Sequence, residues 1–326
     1  MDYKHLFGPV LSRRLGLSLC VDLIKHKTCC FNCVYCECGA TTELTLERME
    51  YVALYQVIDE LKDFLSRKPQ LDYITFSGSG EPLLNKGIGG VTKFIRQNFP
   101  GYKIALTTNS ALLALPEVRQ EVLSLDLILP SLDAVSREVF DRVNRPIAGM
   151  NPLDILSGLV HLRDEFKGKI WLEIFIVPGV NDTMQELDLL SKAAERIGPD
   201  KVQINFLDRP GTETWVRPLR AQEIEKILGY FRRIKVEVIP QRATTRKAAL
   251  FDDNVVHRIV ALIQRRPCKA EDIAVSIGLN LHDLNKFLDA LVESGRVEFV
   301  TEERGVYFRA KAGEAPHPVP DAPPPA

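Results

Sequence analysis

The chain has 326 residues, 45% apolar and 26% charged, with a formal net charge of −1 and a sequence pI of about 6.6. These values suit one large α/β domain with an added module, and they give no overall basic charge from which to read nucleic-acid binding, so any such surface has to be local. The opening segment MDYKHLFGPVLSRRLG has no apolar core or small-residue cleavage site, and no apolar run nears the roughly 20 residues that span a bilayer, so neither a signal peptide nor a membrane segment is expected.

The expected compartment is therefore the cytoplasm, where thiols stay reduced and clustered cysteines more often bind metal than pair as disulfides. The first strand candidate, LSLCVDLI (17–24), runs into KTCCFNCVYC (27–36). The seven cysteines are Cys20, Cys29, Cys30, Cys33, Cys36, Cys38 and Cys268, and five of them fall between positions 29 and 38. Cys29, Cys33 and Cys36 are spaced C-x₃-C-x₂-C, which lets one loop wrap three thiolates around a cubane cluster and leaves the fourth iron open to another ligand.

Other uses of these thiols have to be weighed. Zinc wants four ligands, usually in paired CxxC knuckles, and no second knuckle occurs. A ferredoxin run through Cys30, Cys33 and Cys36 needs a further cysteine where Ala40 stands. A redox-active CxxC pair leaves the other thiols without a role.

Further along, LERMEYVALYQVIDELKDFL (46–65), GGVTKFIRQNF (89–99) and MQELDLLSKAAERIG (184–198) have helical patterns. Thr183 and Glu186 have the spacing of a capping box for the last of these. YITFSG (73–78), KIALTTNS (103–110), LILPSLDA (127–134), WLEIFIVP (171–178), KVQINFL (201–207) and KVEVIPQ (235–241) read as strands. Such alternation means parallel βαβ units. Six of them predict an α/β fold, either a partial (β/α)6 TIM-like barrel or a doubly wound sheet, with ligands at the C-terminal strand ends.

After the basic link RATTRKAA (242–249), three helical patterns and a hairpin (RVEFV and GVYFRA around TEERG) predict a winged helix. The expected division is residues 1–249 for the barrel, 250–311 for the winged helix and 312–326 for a disordered proline-rich tail.

With these strand ends in view, the chain resembles the radical S-adenosylmethionine superfamily over about residues 7–241. In that family an aromatic residue precedes the third cysteine and packs near the adenine, a place held here by Tyr35. A glycine-rich turn after the second strand meets the methionyl group; its counterpart is Ser77-Gly78-Ser79-Gly80-Glu81-Pro82, where glycines let backbone amides come close. Thr108 and Asn109 end the next strand, and Ser131 and Asp133 the one after. The resemblance gives them to the ribose and carboxylate, although single residues of this kind also cap helices. Val177 and Asn205 complete the set near the adenine, in a region that also holds Glu173.

The resemblance implies a 4Fe–4S cluster on Cys29, Cys33 and Cys36, S-adenosylmethionine at its open iron, and a flavodoxin- or ferredoxin-type electron donor. One electron would cleave the sulfonium to methionine and a 5′-deoxyadenosyl radical, which takes hydrogen from the substrate. FGPV, SRRLG, KTC-FNCVYC, SGSGEP, SLDA, NRP, VPGVND and DRPGTE together resemble the Fe–S oxidoreductases that include wyosine-base synthases of tRNA. Those synthases carry extra upstream cysteines for a second cluster, whereas here only Cys20 precedes the motif.

A tRNA base is thus the expected substrate, a peptide or protein the alternative, and a redox-sensing winged-helix regulator the rival of another class. From Arg209 to Lys247 there are ten Lys or Arg against four acids, a stretch that suits RNA phosphates but equally a solvated helix face and linker. The winged-helix region has nine basic residues against ten acidic, and its recognition helix sets Asp283, Asp289 and Glu293 against Lys286. Double-stranded DNA is therefore not expected as a partner. Arg13 and Arg14 read as surface ion pairs, and His5, His26, His161, His257 and His282 as ordinary residues without ligand spacing.

Overall fold

A computed structural model describes residues 3–239, 255–279, 281–302 and 304–311. The basic link 242–249 and the proline-rich tail 312–326 lie outside the described residues. Two strands open the chain, β1 (Leu6–Ser12) and β2 (Gly16–Val21), and pair antiparallel. Two short strands follow in the cysteine loop, β3 (Thr28–Cys29) and β4 (Glu43–Leu44).

The repeating units come next: α1 (Leu54–Ser66), β5 (Tyr73–Phe76), α2 (Ile88–Asn98), β6 (Ile104–Thr108), α3 (Pro116–Val122), β7 (Leu127–Pro130), α4 (Arg137–Val143), α5 (Pro152–Glu165), β8 (Lys169–Ile176), α6 (Met184–Ile197), β9 (Lys201–Phe206), α7 (Ala221–Leu228) and β10 (Val236–Val238). One sheet takes the order β1-β2-β5-β6-β7-β8-β9-β10 and is parallel from β2 onward. Its two ends, β1 and β10, do not pair, so the barrel is partial.

The strands are nearly continuous apolar runs because both faces are covered. Ile74, Phe76, Ile104, Leu106, Ile128 and Ile174 are fully buried among the helices. On the inner face Ala105, Leu127 and Leu129 pack with Leu15, Tyr73 and Trp171 near the strand starts. Farther along, the lining turns polar, with Ser18 and Thr75 sharing a 2.7 Å hydrogen bond. Among the described residues no helix is long and apolar enough to cross a membrane.

Three sequence expectations change. β1 adds an antiparallel strand that was not foreseen. Residues 46–53 are not helical: the helix begins at Leu54, whose amide is accepted by Glu50. The preceding segment is instead drawn out by tertiary bonds, with Thr45 bonded to the Cys29 carbonyl, Met49 to Leu84 and Arg48 to Glu121. At α6, Thr183 does cap the amide of Glu186, but the Glu186 carboxylate turns away to accept from Val135 and Ser136, leaving the box half made.

The C-terminal segment forms α8 (Val255–Arg265), α9 (Ala270–Ile277) and α10 (Leu281–Glu293), then the antiparallel pair β11 (Val297–Glu302) and β12 (Gly305–Ala310). Ile259, Ile263, Ile273, Ile277, Leu284 and Leu288 give it a core of its own. It is also bound to the barrel: Arg209 donates to Asp272, and the Tyr307 hydroxyl to the Asp208 carbonyl.

Candidate functional site

The cysteine loop is sewn onto the barrel by backbone bonds. Asn32 and Val34 donate to residues 143–145, Ile147 donates to Cys30, and Lys27 donates to Ser79. Cys30 is fully buried, whereas Cys29, Cys33 and Cys36 stay partly accessible. Each of these three sulfurs meets one side-chain N–H donor: Asn109 Nδ2 at 3.4 Å from Cys29 (and at 3.2 Å from Cys30), Asn144 Nδ2 at 3.5 Å from Cys33 and Lys27 Nζ at 3.1 Å from Cys36. Coordinated thiolates are supported by such donors, so this donor set fits a thiolate-held cluster.

The thiols also act on one another in two adjacent pairs, Cys29 with Cys30 and Cys36 with Cys38. Cys36 is pulled down to about 5, first by the Cys38 thiol and then, against burial, by the Lys27 ammonium. Cys29 is lowered by the Cys30 thiol, while Cys30 is raised by burial and Cys38 by its bond to Cys36. Cys33 is the exception, raised by burial and by Asp133. Among the described residues no three His, Cys, Asp or Glu side chains converge tightly enough to cage a single ion.

The turn Ser77–Pro82 lies across this loop. A Cβ on Gly80 would stand 2.0 Å from the Thr28 carbonyl oxygen, and one on Gly78 would stand 2.1 Å from Asp22 Oδ1. Glycine is thus required by close approach and not by an unusual φ. Asp22 fixes the turn by accepting from both the amide and the hydroxyl of Ser79. Glu81 does not face the open side. It is buried, accepts from Thr108 Oγ1, Leu83 N and Asn109 N, and is pushed up to about 7 by burial. Pro82 is buried behind it.

Asp133 is equally committed, accepting from Tyr35, Asn144 and Phe175 and raised to about 6 by burial. Tyr35 stacks on Phe175 with centroids 3.7 Å apart, which sets its ring at the end of β8. Ser131 and Asn205 meet at Glu173, which also forms an ion pair with Arg14 inside the barrel. Val177 is buried and offers no side-chain contact to the open side. The candidate residues therefore gather at one end of the sheet, but Glu81, Asp133 and Val177 position their neighbours and are not themselves free. Arg14 and Arg13, the latter on Glu37 and Asp208, make partly buried pairs, not surface ones.

A cavity of about 1010 Å³ opens beside the turn. Ser18, Cys20, Thr75, Ser77 and Thr107 form its barrel side, and Arg265, Arg266, Lys269 and Arg304 belong to the C-terminal segment across from it. Sequence reasoning missed Asp22, Lys27, Asn144 and Arg265. Of these, Asn144 lay in the NRP motif and Lys27 in the KTCCFNCVYC run, neither with a role assigned. The basic stretch is not continuous: Arg209 is buried on Asp272, Arg217 is held by Glu223, and Arg233 reaches Glu195.

Residues 23–190 match the family profile of the radical SAM superfamily. A protein named GTPase Obg from Brachyspira hyodysenteriae is 34% identical over 299 residues, covering 90% of this chain and 43% of that protein. The chain thus spans less than half the length of that relative. A UPF0026 protein of Methanocaldococcus jannaschii is 30% identical over 274 residues, covering 82% of this chain and 84% of the other. Among solved structures, a radical SAM methyltransferase from Sphaerobacter thermophilus shares the fold, with TM-score 0.50, 19% identity and coverage of 68% of this chain and 65% of that one. Fold, thiol loop and profile agree: the chain belongs to the radical SAM superfamily, enzymes that hold a 4Fe–4S cluster on three cysteines and cleave S-adenosylmethionine.

Proposed function

We propose that Cys29, Cys33 and Cys36 hold the cluster, that S-adenosylmethionine lies along the Ser77–Gly80 turn, and that the substrate is a nucleotide of an RNA chain, a tRNA base in the wyosine-synthase manner. When bound, the cluster supplies the electron that cleaves S-adenosylmethionine and so the power to take hydrogen from an unactivated C–H bond. The residues of this chain supply the rest. Asn109, Asn144 and Lys27 donate to the sulfurs, Asp22 holds the turn, and Tyr35 is fixed by Phe175 and Asp133.

The observation that carries the substrate reading is the cavity beside the turn. It is large enough for a nucleotide, and its far side carries Arg265, Arg266, Lys269 and Arg304 beside Glu271, Asp272 and Asp289, with Arg265, Arg266 and Arg304 also paired to Asp22, Glu37 and Asp208. Those cations come from a segment whose order of three helices and a hairpin suits a winged helix that presents the substrate. The test is anaerobic turnover with tRNA, with the nucleosides then profiled by mass spectrometry. A mass change dependent on S-adenosylmethionine supports the reading. An unchanged tRNA pool alongside a modified peptide would move the substrate to the second class.

A further inference from the structure

Lys27 is an unusual residue for its place. Its backbone lies in the left-handed region at φ 57°, which most side chains avoid and glycine or asparagine tolerate better. It is 3% exposed, and a buried ammonium is costly unless a negative partner balances it. Among the described residues no carboxylate forms an ion pair with it. Its hydrogen-bond partner is Cys36 Sγ at 3.1 Å.

The backbone at Lys27 is equally fixed: its amide donates to Ser79 of the glycine turn, and its carbonyl accepts from Thr42 and Glu43. The backbone of the residue is therefore pinned between the glycine turn and the cysteine loop, and from there the side chain reaches the Cys36 sulfur. The buried charge of this lysine has its counterpart in the Cys36 sulfur it meets.

We infer that Lys27 is a positioning residue that sets the reduction potential of the cluster, by placing one fixed positive charge and one N–H donor on the Cys36 sulfur. This rests on the reading of Cys36 as a ligand. Reduction adds a negative charge to a site already carrying three thiolates. A nearby cation stabilises the reduced form more than the oxidised one and raises the potential. The residue acts through Cys36, without touching the reacting carbon.

The experiment is an electron paramagnetic resonance redox titration of anaerobically reconstituted full-length protein, with iron content measured on the same samples. In Lys27→Met the equilibrium should move toward the oxidised cluster by tenfold or more, a downward shift of at least about 59 mV for one electron. Lys27→Arg, which keeps the charge, should stay close to the wild type. An iron-loaded Lys27→Met at the wild-type potential overturns the inference. If that variant loads no iron, Lys27→Gln takes its place, with the same shift expected and its absence again decisive. Loss of iron from both neutral variants with normal loading of Lys27→Arg overturns it in favour of a purely structural role. Wild-type protein that holds no cluster, or a cluster retained in Cys36→Ala, defeats the underlying ligand reading instead, and is told apart by the iron assay.

Discussion

Arg265 of α8 donates to Asp22 Oδ2 at 2.5 Å, and the same oxygen accepts from Ser79 of the glycine turn. The C-terminal segment therefore reaches the glycine turn through one carboxylate. Arg265 also lies over the Phe7 ring at 3.7 Å, so both its charge and its flat face are used.

Arg265→Ala should leave iron content unchanged and weaken S-adenosylmethionine binding roughly tenfold, the size expected when a charged hydrogen bond is removed from a buried carboxylate. Isothermal titration on cluster-loaded protein measures this. A shortened chain of residues 1–249 should show the same loss. If both bind the cofactor as the full chain does, the C-terminal segment is independent of the turn.

The ligand set predicts about four iron per chain in reconstituted protein. Cys29→Ala, Cys33→Ala and Cys36→Ala should each lose most of it. Cys30→Ala should keep it, because the Cys30 side chain is fully buried, and Cys38→Ala should too. Iron lost from Cys30→Ala but kept in Cys29→Ala would reverse the assignment.

Gly78→Ala brings a methyl group to within 2.1 Å of Asp22 Oδ1, so the turn or the carboxylate has to shift. The expected result is a cluster-loaded protein with cofactor affinity reduced at least as much as in Arg265→Ala. Unchanged affinity would mean that the turn does not hold the cofactor.

Much of this arrangement could be read from the sequence, and the omissions have physical causes. Strands β5 to β9 are short apolar runs buried on both faces, so composition marks them. β1 was passed over because Gly8 and Pro9 interrupt LFGPVLS, and only pairing with β2 makes it a strand. Residues 46–53 have helical composition, yet bonds to the cysteine loop and to Glu121 prevail. The thiol spacing and the SGSGEP run were legible because their chemistry is local. The Arg265–Asp22 contact joins residues 243 positions apart, and no local pattern records it. Glu81 and Asp133 were placed at the right end of the sheet, but sequence cannot show that their oxygens are already occupied.

Glu81 gives a pH signature. Burial raises it from 4.5 to about 7, so the folded state holds a proton that the unfolded chain has released. Its contribution is fully present below about pH 4.5 and is lost as pH rises through 7. Relative to Glu81→Gln, the wild type should therefore lose stability between about pH 4.5 and 7, by up to about 3 kcal/mol, and stay level above that. Denaturant unfolding of cluster-free protein at several pH values checks this; a constant difference would show that the shift is absent.

The central claim is that this chain cleaves S-adenosylmethionine at a cluster held by the cysteine loop. The direct measurement is chromatographic quantification of 5′-deoxyadenosine after anaerobic, cluster-loaded protein is reduced with dithionite in the presence of S-adenosylmethionine. The account predicts its formation even without substrate, and its loss in Cys29→Ala, Cys33→Ala and Cys36→Ala. No 5′-deoxyadenosine from fully reduced, iron-loaded wild-type protein would contradict it.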